Sequence, residues 1–222
     1  MQIAILTFDG FNELDSFIAA GILNRMRPKG WKAFITCPSD TVTSMNGVTI
    51  HAEQPLSFAA TADAVIFGSG IKTRDIAQDT ELLARLKLDP TRQLIGAQCS
   101  GTLLLSKLGL LESMPVCTDL TTKPWVIEAG VEVLDQSFYA NGNIATAGGC
   151  LASQYLATWI LLHGSTREDA ESALHYVAPV GQKEEYVERA ISSVVGYMPD
   201  SGAAPPGDHG ISGCASAVCT SA

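Results

Sequence analysis

The chain reads as an α/β protein: a three-layer sandwich on a largely parallel central sheet, with a cysteine nucleophile elbow. Three observations predict this. Short apolar runs alternate with segments of helical periodicity, the pattern that produces parallel strands joined by helical crossovers. Asn46-Gly47 and Asn141-Gly142 mark tight turns between short strands. Cys99 stands between an apolar run starting at Leu94 and a helix-forming run after Gly101, flanked by Gly96, Ser100 and Gly101. A strand-to-helix turn of this kind needs small neighbours, because it is strained and lifts one side chain above the sheet.

Each element follows from its local pattern. Residues 3–8 predict a first strand. Residues 12–26 predict a helix with Leu14, Phe17, Ile18, Ile22 and Leu23 on one face. A second strand runs over 31–36, and 42–44 with 48–51 flank the first Asn-Gly turn. Residues 64–67 form a buried strand, followed by glycines and a helix through Leu82, Leu83 and Leu86. After the Cys99 strand and helix come a short strand at 116–117, a helix over 120–129, and strands at 131–134, 138–140 and 144–146. Helices are predicted over 149–163, 166–176 and 183–195.

The 222 residues suit one domain, set at 1–198, with a tail at 199–222 whose Pro, Gly, Ser and Ala content offers little to pack. With 46% hydrophobic residues and a mean hydropathy of +0.19, the domain can build a sizeable core. A net charge of −9, a pI near 4.8 and the absence of basic runs argue against nucleic acid as a partner. No basic helix-turn-helix segment follows the α/β region, which weakens a reading as a transcription regulator's sensing domain. The opening residues read as a core strand and not a leader, and no apolar stretch reaches membrane-spanning length. Cys37, Cys99, Cys117, Cys150, Cys214 and Cys219 are scattered without zinc-type spacing, so the expectation is a reduced cytoplasmic protein with no metal and no cofactor.

Parallel α/β sheets place ligands beyond the carboxyl ends of their strands. That rule gathers several loops around Cys99: Asp9 to Asp15 with its three carboxylates, Gly68-Ser69-Gly70, Thr118-Asp119, and Ala147-Gly148-Gly149-Cys150. Singly these are turns and helix starts; together they hold a nucleophile, carboxylates and loops rich in backbone N–H donors.

The Phe11-Asn12-Glu13-Leu14-Asp15 opening, the Gly68-Ser69-Gly70 loop, the Ala97-Gln98-Cys99-Ser100-Gly101 elbow and Thr146-Ala147-Gly148-Gly149 resemble the ThiJ/PfpI family of the glutamine-amidotransferase-like superfamily. The resemblance spans roughly residues 1–195. Leu14-Asp15, Thr102, Leu108-Gly109-Leu110-Leu111 and Asn143 to Gly149 look most like its isonitrile hydratase branch. It implies a flavodoxin-like fold, a homodimer, Cys99 as nucleophile and Asp15 as the acid that contacts it. Gly70 and Ser100 are the implied backbone donors, and Thr102, Asp119, Gly148, Gly149 and Cys150 the pocket candidates. Two departures stand out. Asp119 occupies the position where many relatives carry His, and a carboxylate is too weak a base to activate a thiol as imidazole does. Amidase and peptidase chemistry therefore lose support. Ser69 replaces the first of a glycine pair.

The resemblance implies hydration of a small electrophile such as an isonitrile, to an N-substituted formamide, with Cys99 attacking carbon and Asp15 shuttling the proton. On a helix starting near Asn12, Glu13 and Asp15 diverge by about 200°; Leu14 and Ile18 are expected on the core face, Asp15 at its edge. The helix start after Cys99 predicts the most acidic of the core thiols. The alternative is a redox-responsive protein that uses oxidation of Cys99.

Overall fold

β1 (Gln2–Leu6) is an interior strand of a seven-stranded sheet of order β5-β2-β1-β6-β7-β9-β8. The other members are β2 (Lys32–Cys37), β5 (Gln54–Pro55), β6 (Ala64–Phe67), β7 (Leu94–Gln98), β8 (Phe138–Asn141) and β9 (Ile144–Ala147). All neighbouring pairs are parallel except β8 with β9. The computed structural model describes residues 1–111 and 114–199. Apart from Pro199, the predicted tail, with Cys214 and Cys219, lies outside the described residues.

Both faces of the sheet are covered, which explains why its central strands are apolar at nearly every position. Ile3, Ile5 and Ile66 point to one side, into a core with α1 (Glu13–Leu23), α6 (Ser153–Gly164), α7 (Arg167–Val177) and α8 (Lys183–Val195). Ala4, Leu6, Val65, Phe67, Ile95 and Ala97 point to the other, toward α3 (Thr80–Ala84), α4 (Gly101–Lys107) and α5 (Lys123–Glu128). The helix expected through Leu82, Leu83 and Leu86 is α3, which holds Leu82 and Leu83 and ends before Leu86; the short α2 (Thr73–Ile76) precedes it. This is the three-layer, flavodoxin-like α/β architecture. The hairpin of β3 (Thr41–Thr43) and β4 (Thr49–His51) forms a separate small sheet, turned at Gly47 with φ of 89°. No helix among the described residues is long and apolar enough to cross a membrane.

Three local expectations need correction. The predicted strands at 116–117 and 131–134 reduce to one bridge, Val116 to Val133. Helix 12–26 ends at Leu23 and continues as a 3-10 segment, Asn24–Lys29, that carries Pro28. The buried face of α1 keeps Ile22 and Leu23 as expected, with Ile18 packed against the core, but excludes Leu14 and Phe17. Leu14 is 51% exposed and Phe17 38% exposed, whereas Asp15, Ser16, Ala19, Ala20, Ile22 and Leu23 are buried. Small residues let α1 lie close against the sheet and α6, so packing selected Ala19 and Ala20 over the bulkier stripe. Asp15 is drawn inside with them.

Burial also sets a pH limit on the fold. The Cys37 thiol is pushed up to about 11 and that of Cys117 to about 12, in each case chiefly by loss of solvent. Both raised values lie above an unfolded thiol near 8.5, so their stabilising contribution is complete below about pH 8 and lost as pH climbs through the folded values. The thermal midpoint should hold steady up to about pH 8 and fall steeply toward pH 11, with a shallower fall in Cys117→Ala. A flat midpoint across that range would contradict the burial.

Candidate active site

Cys99 joins β7 to α4 with φ of 47°, the one non-glycine residue with positive φ among those described. That conformation is costly for an L-residue and persists because the surroundings fix it. The Cys99 N–H donates to the Ala147 carbonyl at 2.8 Å, and its own carbonyl accepts from Thr118 Oγ1 at 2.8 Å. Gly101 is required here: a Cβ would sit 2.7 Å from the Phe67 carbonyl oxygen. The elbow leaves Cys99 only 4% exposed. Its sulfur accepts from Gln98 Nε2 at 3.3 Å, and the same amide donates to the Gly149 carbonyl at 2.7 Å.

Asp15 is fully buried beneath this turn. Ser69 Oγ donates to Asp15 Oδ2, while Oδ1 has no hydrogen-bond partner. Ser153 Oγ donates to the Asp15 carbonyl at 3.0 Å and ties α1 to α6. One donor atom each of Asp15, Cys99 and Cys150 lie within 4.8 Å of one another. Asn12, the N-cap of α1, donates its side-chain amide to Cys150 Sγ at 3.3 Å.

Burial, then the Asp15 carboxylate, then Asp119 and Cys150 drive the Cys99 thiol far above the ordinary thiol range. Among the described residues, two carboxylates and a thiol act on it: Asp15, Asp119 and Cys150. Burial and the Asp15 carboxylate therefore work against the expectation that Cys99 is the most acidic core thiol. A seven-residue α4 cannot offset a buried carboxylate in direct contact. Cys150 is pushed up as well, by burial first and by Asp15 second.

The sequence profile of the DJ-1/PfpI family matches residues 1–162. The chain belongs to the DJ-1/PfpI family. A search of the curated proteins returns no match. Among solved structures it is similar to Schizosaccharomyces pombe DJ-1, with a TM-score of 0.69 at 16% identity, covering 81% of this chain and 100% of that one. A ThiJ/PfpI family protein from Pseudomonas syringae gives 0.69 at 21% identity, covering 86% and 89%. Toxoplasma gondii DJ-1 in an oxidised form gives 0.64 at 17% identity, covering 79% and 97%.

Within this DJ-1/PfpI frame the remaining predicted residues separate. Glu13 lies away from the sulfur, accepting from Ser44 Oγ and from Asn46 Nδ2 at 2.8 Å, and so holds the β3–β4 hairpin. The Gly70 N–H, expected as a donor for developing negative charge, donates to Ser100 Oγ at 3.2 Å. Gly70 instead permits close passage of the first loop, since a Cβ there would lie 2.4 Å from the Gly10 carbonyl oxygen. The Ser100 N–H takes no part in the backbone hydrogen bonds of the turn. Thr102 is fully buried and donates to the Cys117 carbonyl at 3.0 Å, so it anchors α4 and is not a pocket residue. Asp119 Oδ1 accepts from the Thr121 and Thr122 N–H groups, both at 2.9 Å, capping the turn into α5. It lines a cavity of about 290 Å³ with Gly148 and Gly149. Gly148 allows that loop to press on its neighbour, because a Cβ would meet the Thr118 carbonyl oxygen at 2.2 Å.

Sequence reasoning missed Gln98 and the contribution of Ser69. Gln98 is a fully buried amide ending an apolar strand, and a lone polar residue there is a usable signal. Ser69 read as a departure from a glycine pair, yet its hydroxyl is what holds the acid.

Proposed function

We propose that this DJ-1/PfpI protein is a cysteine-dependent hydratase of small electrophiles, with isonitriles as the substrate class, Cys99 as nucleophile and Asp15 as proton shuttle. The observation that carries the reading is a buried carboxylate against a nearly buried thiol. A residue as buried as Cys99 admits a narrow head group such as –N≡C more readily than a peptide or amide.

The steps balance as follows. The resting thiol carries its proton beside Asp15. The sulfur attacks the terminal isonitrile carbon, and the thiol proton passes through Asp15 to that same carbon, leaving a neutral thioimidate. Water adds across the C=N bond, its hydroxyl to carbon and its proton to nitrogen. Collapse breaks the C–S bond, releases the N-substituted formamide and returns a proton to sulfur by way of Asp15. Ser69 and Gln98 orient the acid and the sulfur through these transfers. Ser100 supplies the N–H that faces developing negative charge.

The protein is further proposed to act as a homodimer. Exposed Leu14, Phe17 and Leu151 stand on residues adjoining Asp15 and Cys150, an apolar margin suited to a second copy. Four free thiols among the described residues suit a reducing compartment such as the cytoplasm.

Incubating the purified full-length protein with small alkyl and aryl isonitriles, in the presence of a chelator, should yield the matching formamides by NMR. No formamide from any of them, with folded protein verified, would overturn the reading. The rival, a redox-responsive thiol protein, draws on the oxidised state of the Toxoplasma gondii relative. A thiol held neutral by burial and a carboxylate opposes it, because the thiolate is the form that peroxide attacks. A peroxide-dependent gain of two oxygens at Cys99 without isonitrile turnover would favour it.

A further inference from the structure

The sequence shows no metal-binding spacing, yet the fold brings two sulfurs and a carboxylate to one point. We propose that Asp15, Cys99 and Cys150 form a binding site for a thiophilic divalent cation, with zinc as its type ion. Three atoms mutually within 4.8 Å all lie within about 2.8 Å of a common point, and zinc needs about 2.3 Å to sulfur and 2.0–2.2 Å to oxygen. Displacements of roughly half an ångström close the site to bonding distance.

Charge and chemistry agree with that geometry. Asp119 adds a further negative charge near the cluster, and among the described residues the charged side chains that act on the two sulfurs are carboxylates. A divalent ion supplies the positive charge this pocket lacks. Two thiolates with one carboxylate select a borderline-soft ion over magnesium or calcium, which prefer oxygen throughout. The Asp15 carboxylate is fully buried and faces both thiols, so all three ligand atoms already converge on one point. The outer contacts suit ligands as well: Ser69 orients the carboxylate, while the Gln98 and Asn12 amides donate to the two sulfurs. Cys150 is only partly buried and gives an ion its way in.

Binding releases the two thiol protons and leaves a complex of net charge −1, with a coordination position open to water. Affinity therefore rises with pH. An ion seated here occupies the Cys99 lone pair and silences the nucleophile. The site shares residues with the proposed hydratase centre, but its test is a binding measurement that stands whether or not isonitriles turn over.

Full-length protein titrated with zinc against a chromophoric chelator should take up one equivalent. Cobalt(II) should give the near-ultraviolet thiolate-to-metal absorption of two sulfur ligands. Outer-shell changes at metal sites cost 10–100-fold in affinity, so loss of a ligand in Cys150→Ser should weaken zinc binding by more than about 100-fold. Serine at both Cys214 and Cys219 should leave it unchanged. In the wild type, zinc should protect Cys99 and Cys150 from alkylation in a mass-spectrometric footprint, a readout that needs no variant to fold. Absence of thiolate–cobalt absorption, affinity retained in Cys150→Ser, binding lost with the tail pair, or a footprint elsewhere would each overturn the site.

Discussion

Replacing Cys99 by alanine should lower formamide production by at least about ten-thousand-fold, the scale seen when a covalent nucleophile is deleted. No second group can take over. Cys150 lies in the same cluster but on the short 3-10 segment Cys150–Ala152, without the elbow backbone that presents Cys99. Cys37 and Cys117 are buried in separate surroundings. Alanine keeps the backbone hydrogen bond to Ala147 and removes only the sulfur, although the positive φ at this position remains strained. The variant should therefore fold, with a thermal midpoint close to that of wild type, and fail to turn over. Turnover that survives Cys99→Ala would remove the thioimidate from the mechanism and move the active site elsewhere.

The elbow was legible because local chemistry dictates it. A strained turn between a buried strand and a helix admits only small residues around its tip, so Gly96, Ser100 and Gly101 announce it. The parallel sheet was equally legible, since strands buried on both faces are written as uninterrupted apolar runs. What failed was decided by packing at a distance. Nothing local tells that the sheet accepts Ala19 and Ala20 and rejects Leu14 and Phe17, so the inward face of α1 was misread at those positions. Thr102 looks like a site residue by adjacency to the elbow, but the first turn of α4 rotates it toward Cys117. Gly70 promised a free N–H until the Ser100 hydroxyl took it. The meeting of Asp15, Cys99 and Cys150 was anticipated only through the rule that gathers loops at the carboxyl ends of parallel strands and through the family resemblance, because no local spacing encodes a contact among three separate elements.

Asp15→Asn separates the acid's two effects, because it should move turnover and thiol reactivity in opposite directions. The amide keeps the shape of the side chain but cannot carry a proton between sulfur and carbon. General acid–base steps contribute about 10²–10⁴-fold, and turnover should fall by that amount. The same change removes a negative charge that, after burial, is the main influence holding the Cys99 proton in place. The thiol becomes more acidic, and its alkylation by iodoacetamide at neutral pH should quicken by several-fold to about ten-fold, tempered by the lower nucleophilicity of a less basic thiolate. The pH dependence has a definite sign. In the wild type the thiol is raised far above neutrality, so labelling of Cys99 should climb about ten-fold per unit from pH 7 to pH 9 without levelling off. In Asp15→Asn the curve should shift to lower pH. A wild-type plateau below pH 8 would mean an acidified thiolate and would defeat the picture of a proton held between Asp15 and sulfur. Slower labelling in Asp15→Asn would show that the carboxylate activates the thiol and does not restrain it.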